Sequence, residues 1–455
     1  MAARATRRQV LGVALTAGAA ALLPGRALAA PAAPGAVATV DGFAADAALA
    51  WMQTTYDLVL RENLSPPAAA RTYAYTAVAM YEAAVAGMPT RRSLGGQLRA
   101  MPVPAVPRLD AASIDWPAAV VTAAAAVLRQ ILPFVAPTTR PLLDSAERDA
   151  VALRRAAGVP ERALAASVDH GRAIARQVGT WIARDGHAGL AGRPYTVPVG
   201  DPWLWESTPP NYRPAIEPYW SEVRPMALRR ADEVAPAPPV PFSTEVGSPF
   251  HEEAMVTYRQ SFQNTDEHRA IANFWTDNPG SFTPPLGRPT GLPAGHWMLI
   301  GAQGLAARGS RLDVAVETFA LTGIALHDAF LNCWTWKYRY NLLRPVTYVR
   351  RHIDSGWNTF VNSPQFPEHT SGHSVASPAA AAVLTAQLGA FAFTDRSHDP
   401  RGHQPRSFAS FAHAAQEAAQ SRIYGGIHFP HAVEAGFPQG EQIGALVLQR
   451  VRTRR

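Results

Sequence analysis

Lysine is nearly absent from this chain: of its 42 Lys and Arg residues, only Lys337 is a lysine. A composition rich in Ala, Arg, Pro and Gly can leave such a residue anywhere by chance. Yet this one stands among aromatics in WTWKYRYNLLRP, seven positions before Arg344, and a compact ammonium with three donors is not interchangeable with a planar guanidinium. Cysteine is equally scarce. Cys333 stands alone, which excludes an intramolecular disulfide and makes the fold depend on its apolar core. Long blocks of like charge, and basic residues regularly interleaved with aromatics, are missing, which argues against nucleic-acid binding. Alternating β-branched runs are rare and no fixed-period repeat occurs, so neither a β-sandwich nor a solenoid is expected.

The N-terminus reads Ala5-Thr6-Arg7-Arg8-Gln9-Val10-Leu11-Gly12, then a short apolar stretch and Ala27-Leu28-Ala29. This pattern predicts a twin-arginine-type export signal over residues 1–29, cleaved near Ala30, and a periplasmic or extracellular protein. The apolar stretch is too short and too interrupted by Gly and Pro to span a bilayer, so no stable membrane anchor is expected. Its four arginines and no acid account for a fall in formal charge from +7 to +3 on cleavage. Residues 30–455 are then expected to form a single domain, long enough to bury a large core.

What is abundant is alanine with helical periodicity. An all-α helical-bundle protein is predicted, with helices near 43–62, 66–87, 116–132, 138–156, 161–184, 250–262, 265–276, 311–343, 375–392 and 408–424. Ser65-Pro66 reads as an N-cap followed by a first-turn proline. Between about 187 and 248 the chain is dense in Pro, Trp and Tyr, which precludes a long helix; the tryptophans argue for an ordered segment lying across the helical body. A second such segment, FWTDNPGSFTPPLGRPTGLPAGHW, ends at His296-Trp297. Both are candidate cleft walls, and whether the 187–300 region closes over the site or braces the helices is open.

Three motifs in the C-terminal third carry chemistry. Lys337 and Arg344 would share a helix face two turns apart, about 10 Å along the axis, able to converge on one anion, with Pro345 ending the helix. Pro367-Glu368-His369-Thr370-Ser371-Gly372-His373-Ser374 leads into an Ala-rich helix, so that a hydroxyl, an unhindered N–H and the positive end of a helix dipole meet at one point. Ser421-Arg422-Ile423-Tyr424-Gly425-Gly426-Ile427-His428 should end a helix at its glycines, letting Arg422 and His428 approach one point from different directions. Each motif alone has an ordinary reading: solvated cations, an N-cap, a helix end. A zinc pair formed by His369 and His373 is disfavoured by the intervening Ser-Gly.

Taken in order, K-x6-R-P, S-G-H and S-R-x3-G-x-H resemble the signature shared by type 2 phosphatidic acid phosphatases and vanadium-dependent haloperoxidases. YAYTAVAMYEAA and the aromatic-rich segments resemble the bacterial haloperoxidase-related branch. The resemblance implies that Lys337, Arg344 and Arg422 surround the oxygens of vanadate or phosphate, completed by Ser371 and the Gly372 N–H. It implies that His428 is the metal ligand, or the nucleophile of a phosphatase, and that His373 is the acid–base. Lys337 would polarise bound hydrogen peroxide for attack by halide, and a small organic substrate would then be halogenated. Trp334 and Phe366 would line a halide pocket. A non-specific acid phosphatase acting through a phosphohistidine, and an oxyanion-binding protein without turnover, are the alternatives.

Two positions depart from the family pattern. Thr370 replaces the proline before Ser-Gly-His. The carboxylate expected four residues after His428 is replaced by Ala432, leaving Glu434 as the candidate to orient the imidazole. His327-Asp328 lie earlier on the Lys337 helix, His296 and His431 are cleft-wall candidates, and Cys333 is expected to be buried.

Overall fold

The computed structural model describes residues 39–105, 113–210, 212–278 and 292–455, together with the backbone of 282–283 and 288–289. The export-signal expectation for residues 1–29, and part of the second aromatic segment, lie outside the described residues. Among these residues the chain forms thirteen α-helices: α1 (Asp46–Glu62), α2 (Pro66–Val85), α3 (Trp116–Ile131), α4 (Thr139–Ala156), α5 (Glu161–Ile182), α6 (Pro249–Gln263), α7 (Asp266–Phe274), α8 (Pro293–Ala307), α9 (Leu312–Tyr340), α10 (Pro345–His352), α11 (Gly372–Leu388), α12 (Phe411–Tyr424) and α13 (Pro430–Arg450). Two antiparallel two-stranded ribbons complete it: β1 (Phe282–Thr283) with β2 (Arg288–Pro289), and β3 (Phe393–Asp395) with β4 (Arg406–Phe408). The protein is all-α, as expected.

α9 is the axle. Its 29 residues are long and apolar enough to cross a membrane, but here they are buried by neighbouring helices. α2 packs along one side and α11 along another; α3 joins α2 to α5, and α12 and α13 flank α11. One contiguous apolar cluster runs from Val40 to Val451, so the N-terminal and C-terminal helices share a core. The caps follow from sequence: Ser65, Asp115, Ser248, Thr265, Ser371 and Ser410 each accept a first-turn backbone N–H.

Two helices begin where prolines suggested irregular chain or an ending, and a third, α13, begins where no helix is predicted. α8, α10 and α13 have Pro293, Pro345 and Pro430 in the first turn, the one place where a missing N–H costs nothing. The predicted helix over 311–343 in fact ends at Tyr340, because Asn341 takes a left-handed conformation (φ 48°) and its N–H returns to Lys337 O. Lys337 and Arg344 are therefore not on one helix face; Arg344 is the residue before α10. Likewise His296-Trp297 belong to the first turn of α8 rather than to a loop wall.

Among its described residues the 187–248 segment forms two short 3-10 turns, His187–Gly189 and Trp220–Glu222, and straps α9. Asp328 accepts the N–H groups of Met226, Ala227 and Leu228 at 2.7–2.8 Å, while Trp334 Nε1 and Tyr338 Oη both donate to Ile216 O. His327 bonds Arg224 O. His327-Asp328 thus anchor the strap, whose described residues brace the helices without lining the cavity described below.

α13 packs on α11 through Gly436, Gly440 and Gly444. A Cβ at Gly440 would stand 2.1 Å from Val375 O, and one at Gly444 2.9 Å from Ala379 O. This seam fixes the helix whose first turn carries His373. Gly440→Ala is expected to cost about 1–3 kcal/mol through overpacking, measured as a lowered urea midpoint; an unchanged midpoint would show the seam to be loose.

Candidate functional site

The three motifs converge where α9 and α12 end and α11 begins. A cavity opens there, walled by Gly372, His373, Arg422, His428, Phe366, Trp334 and the Asp277-Asn278 segment. Trp334 and Phe366 pack ring to ring at 4.6 Å. Of the residues singled out by sequence, Arg422, Gly372, His373, His428, Trp334 and Phe366 reach the cavity wall. Lys337, Arg344 and Ser371 stand directly behind it.

Arg422 is fully buried. Its Nη2 donates to Trp275 O at 2.7 Å, its Nη1 to Thr276 O at 3.3 Å and toward Asn278 Oδ1 at 3.5 Å, and Nη1 lies 3.4 Å from the His373 ring nitrogens. Arg344 bonds Phe366 O and Ile427 O at 2.9 Å, with Nη1 3.1 Å from His428 Nε2. Lys337 spends its three donors on the carbonyls of Pro367, Glu368 and Thr370. The lone lysine therefore closes the Pro367–Thr370 loop from beneath. Ser371 accepts Ser374 N–H and caps α11. The first-turn N–H groups of α11, Gly372 among them, lack intrahelical acceptors. A Cβ at Gly372 would meet the Trp334 and Phe330 rings at 3.7–3.8 Å and narrow the cavity.

Sequence reasoning missed the partner of His428. Ala432 offers only its carbonyl, to Ser371 N, and Glu434 is exposed; Glu434 does not replace the missing carboxylate. Glu368 does: its Oε1 lies 2.7 Å from His428 Nδ1 and accepts Phe429 N–H at 3.0 Å. The carboxylate has moved from the helix after His428 to the loop before His373. Its signal in sequence is that Glu368 is the sole acid in PEHTSGHS. With Nδ1–H on Glu368, His428 keeps an unprotonated Nε2 at the cavity wall, where it accepts from Arg344 Nη1. The zinc-pair rival fails geometrically, since His369 bonds Ala237 O and stacks on His431.

Electrostatics follow from burial. Desolvation pulls Lys337 down to about 7, Arg344 to about 10 and Arg422 to about 9. Burial, then the cations Arg344 and Lys337, holds His428 well below the usual imidazole value; burial, then Arg422, does the same to His373. Both rings are neutral. Burial raises Glu368 to about 7 against the opposing pull of Arg344 and Lys337. Three basic side chains thus surround the site, Lys337 and Arg344 beside Glu368, which is committed to His428, while Asp277 acts on Arg422 through its charge. The donor set fits a multiply charged oxyanion.

Glu368→Ala is expected to separate two probes. Losing the carboxylate frees the His428 proton to sit on Nε2, weakening vanadate about 10–100-fold, while phosphate, which needs only the positive field, is not weakened. Calorimetric titration with each anion reads this; equal losses for both would refute the role.

Residues 317–455 match the family model described as the VCPO second helical-bundle domain. Among solved structures, a bacterial vanadium-dependent iodoperoxidase is similar at 33% identity, with a TM-score of 0.84, covering 90% of this chain and 97% of that one. A holo-type bacterial vanadium-dependent chloroperoxidase shares the fold at 16% identity and TM-score 0.62, over 85% of this chain and 93% of its own. The apo-type chloroperoxidase gives 16% and 0.61, over 88% and 94%. No curated protein matches the chain.

Proposed function

The chain belongs to the vanadium haloperoxidase superfamily, and from that premise we propose that it is an exported vanadate-dependent haloperoxidase. It uses hydrogen peroxide to oxidise halide to hypohalous acid or a bound equivalent, which halogenates a small organic substrate. The observation that carries this reading is the donor set of the cage: Lys337, Arg344 and Arg422 are buried beside a cavity lined by His373 and His428, with Glu368 already bonded to His428. The twin-arginine-type leader supports export to the periplasm or beyond.

His428 would hold vanadate through Nε2, with Arg422, Arg344 and the Gly372 N–H on its oxygens. Bound there, vanadate supplies activation of hydrogen peroxide toward attack by halide. The chain supplies the rest. Glu368 keeps the His428 proton on Nδ1. His373, neutral and beside Arg422, takes a proton from incoming peroxide on a ring nitrogen and returns it to the product. Lys337 holds the Pro367–Thr370 loop and adds its charge to the field on peroxide from behind it. Trp334 and Phe366 give the halide an apolar wall that excludes water.

The Glu368–His428 pair also meets the need of a phosphohistidine mechanism for a basic imidazole, so the phosphatase reading is tested alongside. Anion-free protein should oxidise iodide or bromide with peroxide only after vanadate is added. Aryl phosphate hydrolysis inhibited by vanadate, without halide oxidation, would establish the phosphatase instead. Vanadate binding with neither activity would leave an oxyanion binder.

A further inference from the structure

Behind Arg422 lies a second buried polar cluster that the mechanism above does not use. His296, in the first turn of α8, has Nδ1 2.7 Å from Asp277 Oδ2 and Nε2 2.7 Å from Asp395 Oδ2. His398 and Arg401 close the group: Arg401 Nη1 and His398 Nε2 each lie 3.6 Å from Asp277 Oδ1. None of these five residues is more than 5% exposed. Asp395 is itself fixed by Ser397 N–H and Gln303 Nε2.

The cluster acts on one short segment. The Trp275 ring stacks on His296 at 4.5 Å, and its indole N–H donates to Glu417 at 2.9 Å. Asp277 is held at φ 28°, a conformation that a non-glycine residue keeps only when its surroundings over-determine it. Between and beside these anchors, the carbonyls of Trp275 and Thr276 and the side chain of Asn278 take the Arg422 guanidinium, and Trp275 O also bonds His373. We propose that His296 is a positioning residue: bridging Asp277 and Asp395, it fixes the Trp275–Asn278 segment that aims Arg422 and His373 into the cavity. This rests on the oxyanion-site reading above.

Asp277, His296 and His398 could also hold a metal ion, since their ligand atoms lie within 4.8 Å of one another. Charge decides against it. Two carboxylates are balanced by Arg401 and an imidazolium, whereas a divalent cation would add surplus positive charge next to Arg401 and Arg422. A ring flanked by two carboxylates donates from both nitrogens. Burial lowers the affinity of His296 for its second proton, but Asp395 and Asp277 more than offset this and raise its pKa to about 9. Apolar residues would fill such a core at less cost, so the ionic cluster points to a need for fixed geometry.

The test is a double-variant cycle read by calorimetric titration of inorganic phosphate, with vanadate as second probe. His296→Gln should weaken phosphate binding about tenfold or more, the range for partners behind a ligand set. Arg422→Lys keeps the charge but cannot reach both carbonyls at once; on that background His296→Gln should change affinity less than about twofold, the size of a coupling too small to matter. Equal losses in both backgrounds would mean general loosening and overturn the proposal, as would no loss at all. Asp395→Asn provides the same cycle if His296→Gln fails to fold. One equivalent of a divalent metal in the wild-type protein, lost in His296→Gln, would overturn it in favour of a metal site. A wild-type protein that binds phosphate but never oxidises halide would defeat the haloperoxidase reading and leave this inference standing.

Discussion

His428→Ala is expected to lower vanadate affinity at least about 100-fold, equivalent to about 2.7 kcal/mol. The substitution removes the neutral ring nitrogen that Glu368 orients; Arg422 and Arg344 are donors only, and His373 has, among the described residues, no carboxylate partner to fix its tautomer. It also strands Glu368, whose Oε1 would keep Phe429 N–H but lose its ring partner. A buried carboxylate left in that state should destabilise the fold by about 1–3 kcal/mol. Titration of vanadate into wild type and variant measures the first effect and thermal unfolding the second. Phosphate affinity should fall far less, because the cations remain. If vanadate binds the variant as it binds the parent, His428 is not its ligand.

Lys337→Met is expected to be markedly destabilising. The methionine fills much the same volume but leaves the carbonyls of Pro367, Glu368 and Thr370 without their shared donor. Pro367 O keeps Arg344 Nη2 and Thr370 O a weak bond from Cys333 Sγ, but Glu368 O loses its donor; an unmet buried acceptor costs about 1–3 kcal/mol, so a loss of about 2 kcal/mol or more is expected, read from denaturant midpoints. Lys337→Arg keeps the charge but asks a planar fork to occupy a fully buried slot built for one nitrogen, and should lose stability and halide oxidation together. Wild-type stability in both variants would return Lys337 to an accident of composition.

Much of this was legible in the sequence, for definite reasons. Long alanine-rich amphipathic stretches name their own helices, and Ser65-Pro66 marked the start of α2 to the residue. The three motifs did meet at one cavity. What failed was the reading of proline: Pro293 and Pro345 begin helices, and a proline seen without its neighbours does not say which end of a helix it occupies. Pro438 and three glycines further disguised α13, where close packing on α11 outweighs propensity. Asn341 was equally silent, since only the backbone reveals its left-handed turn.

The roles within the site were harder still. Placing Lys337 and Arg344 on one helix predicted two equivalent cations reaching one anion; the turn at Asn341 instead sends Arg344 to His428 and leaves Lys337 beneath the loop. Glu368 was hidden because its partner is sixty positions away, and sequence spacing reports only local contacts. The Asp277–His296–Asp395 bridge joins three separate segments for the same reason.

The account rests on His428 offering Nε2 while Glu368 holds the proton on Nδ1. Nitrogen-15 NMR of histidine-labelled protein, before and after vanadate, tests this most directly. Before addition, His428 should show a protonated Nδ1 and an unprotonated Nε2; vanadate should shift Nε2 and leave Nδ1 protonated. A proton found on Nε2, or an Nε2 signal that vanadate does not move, would contradict it.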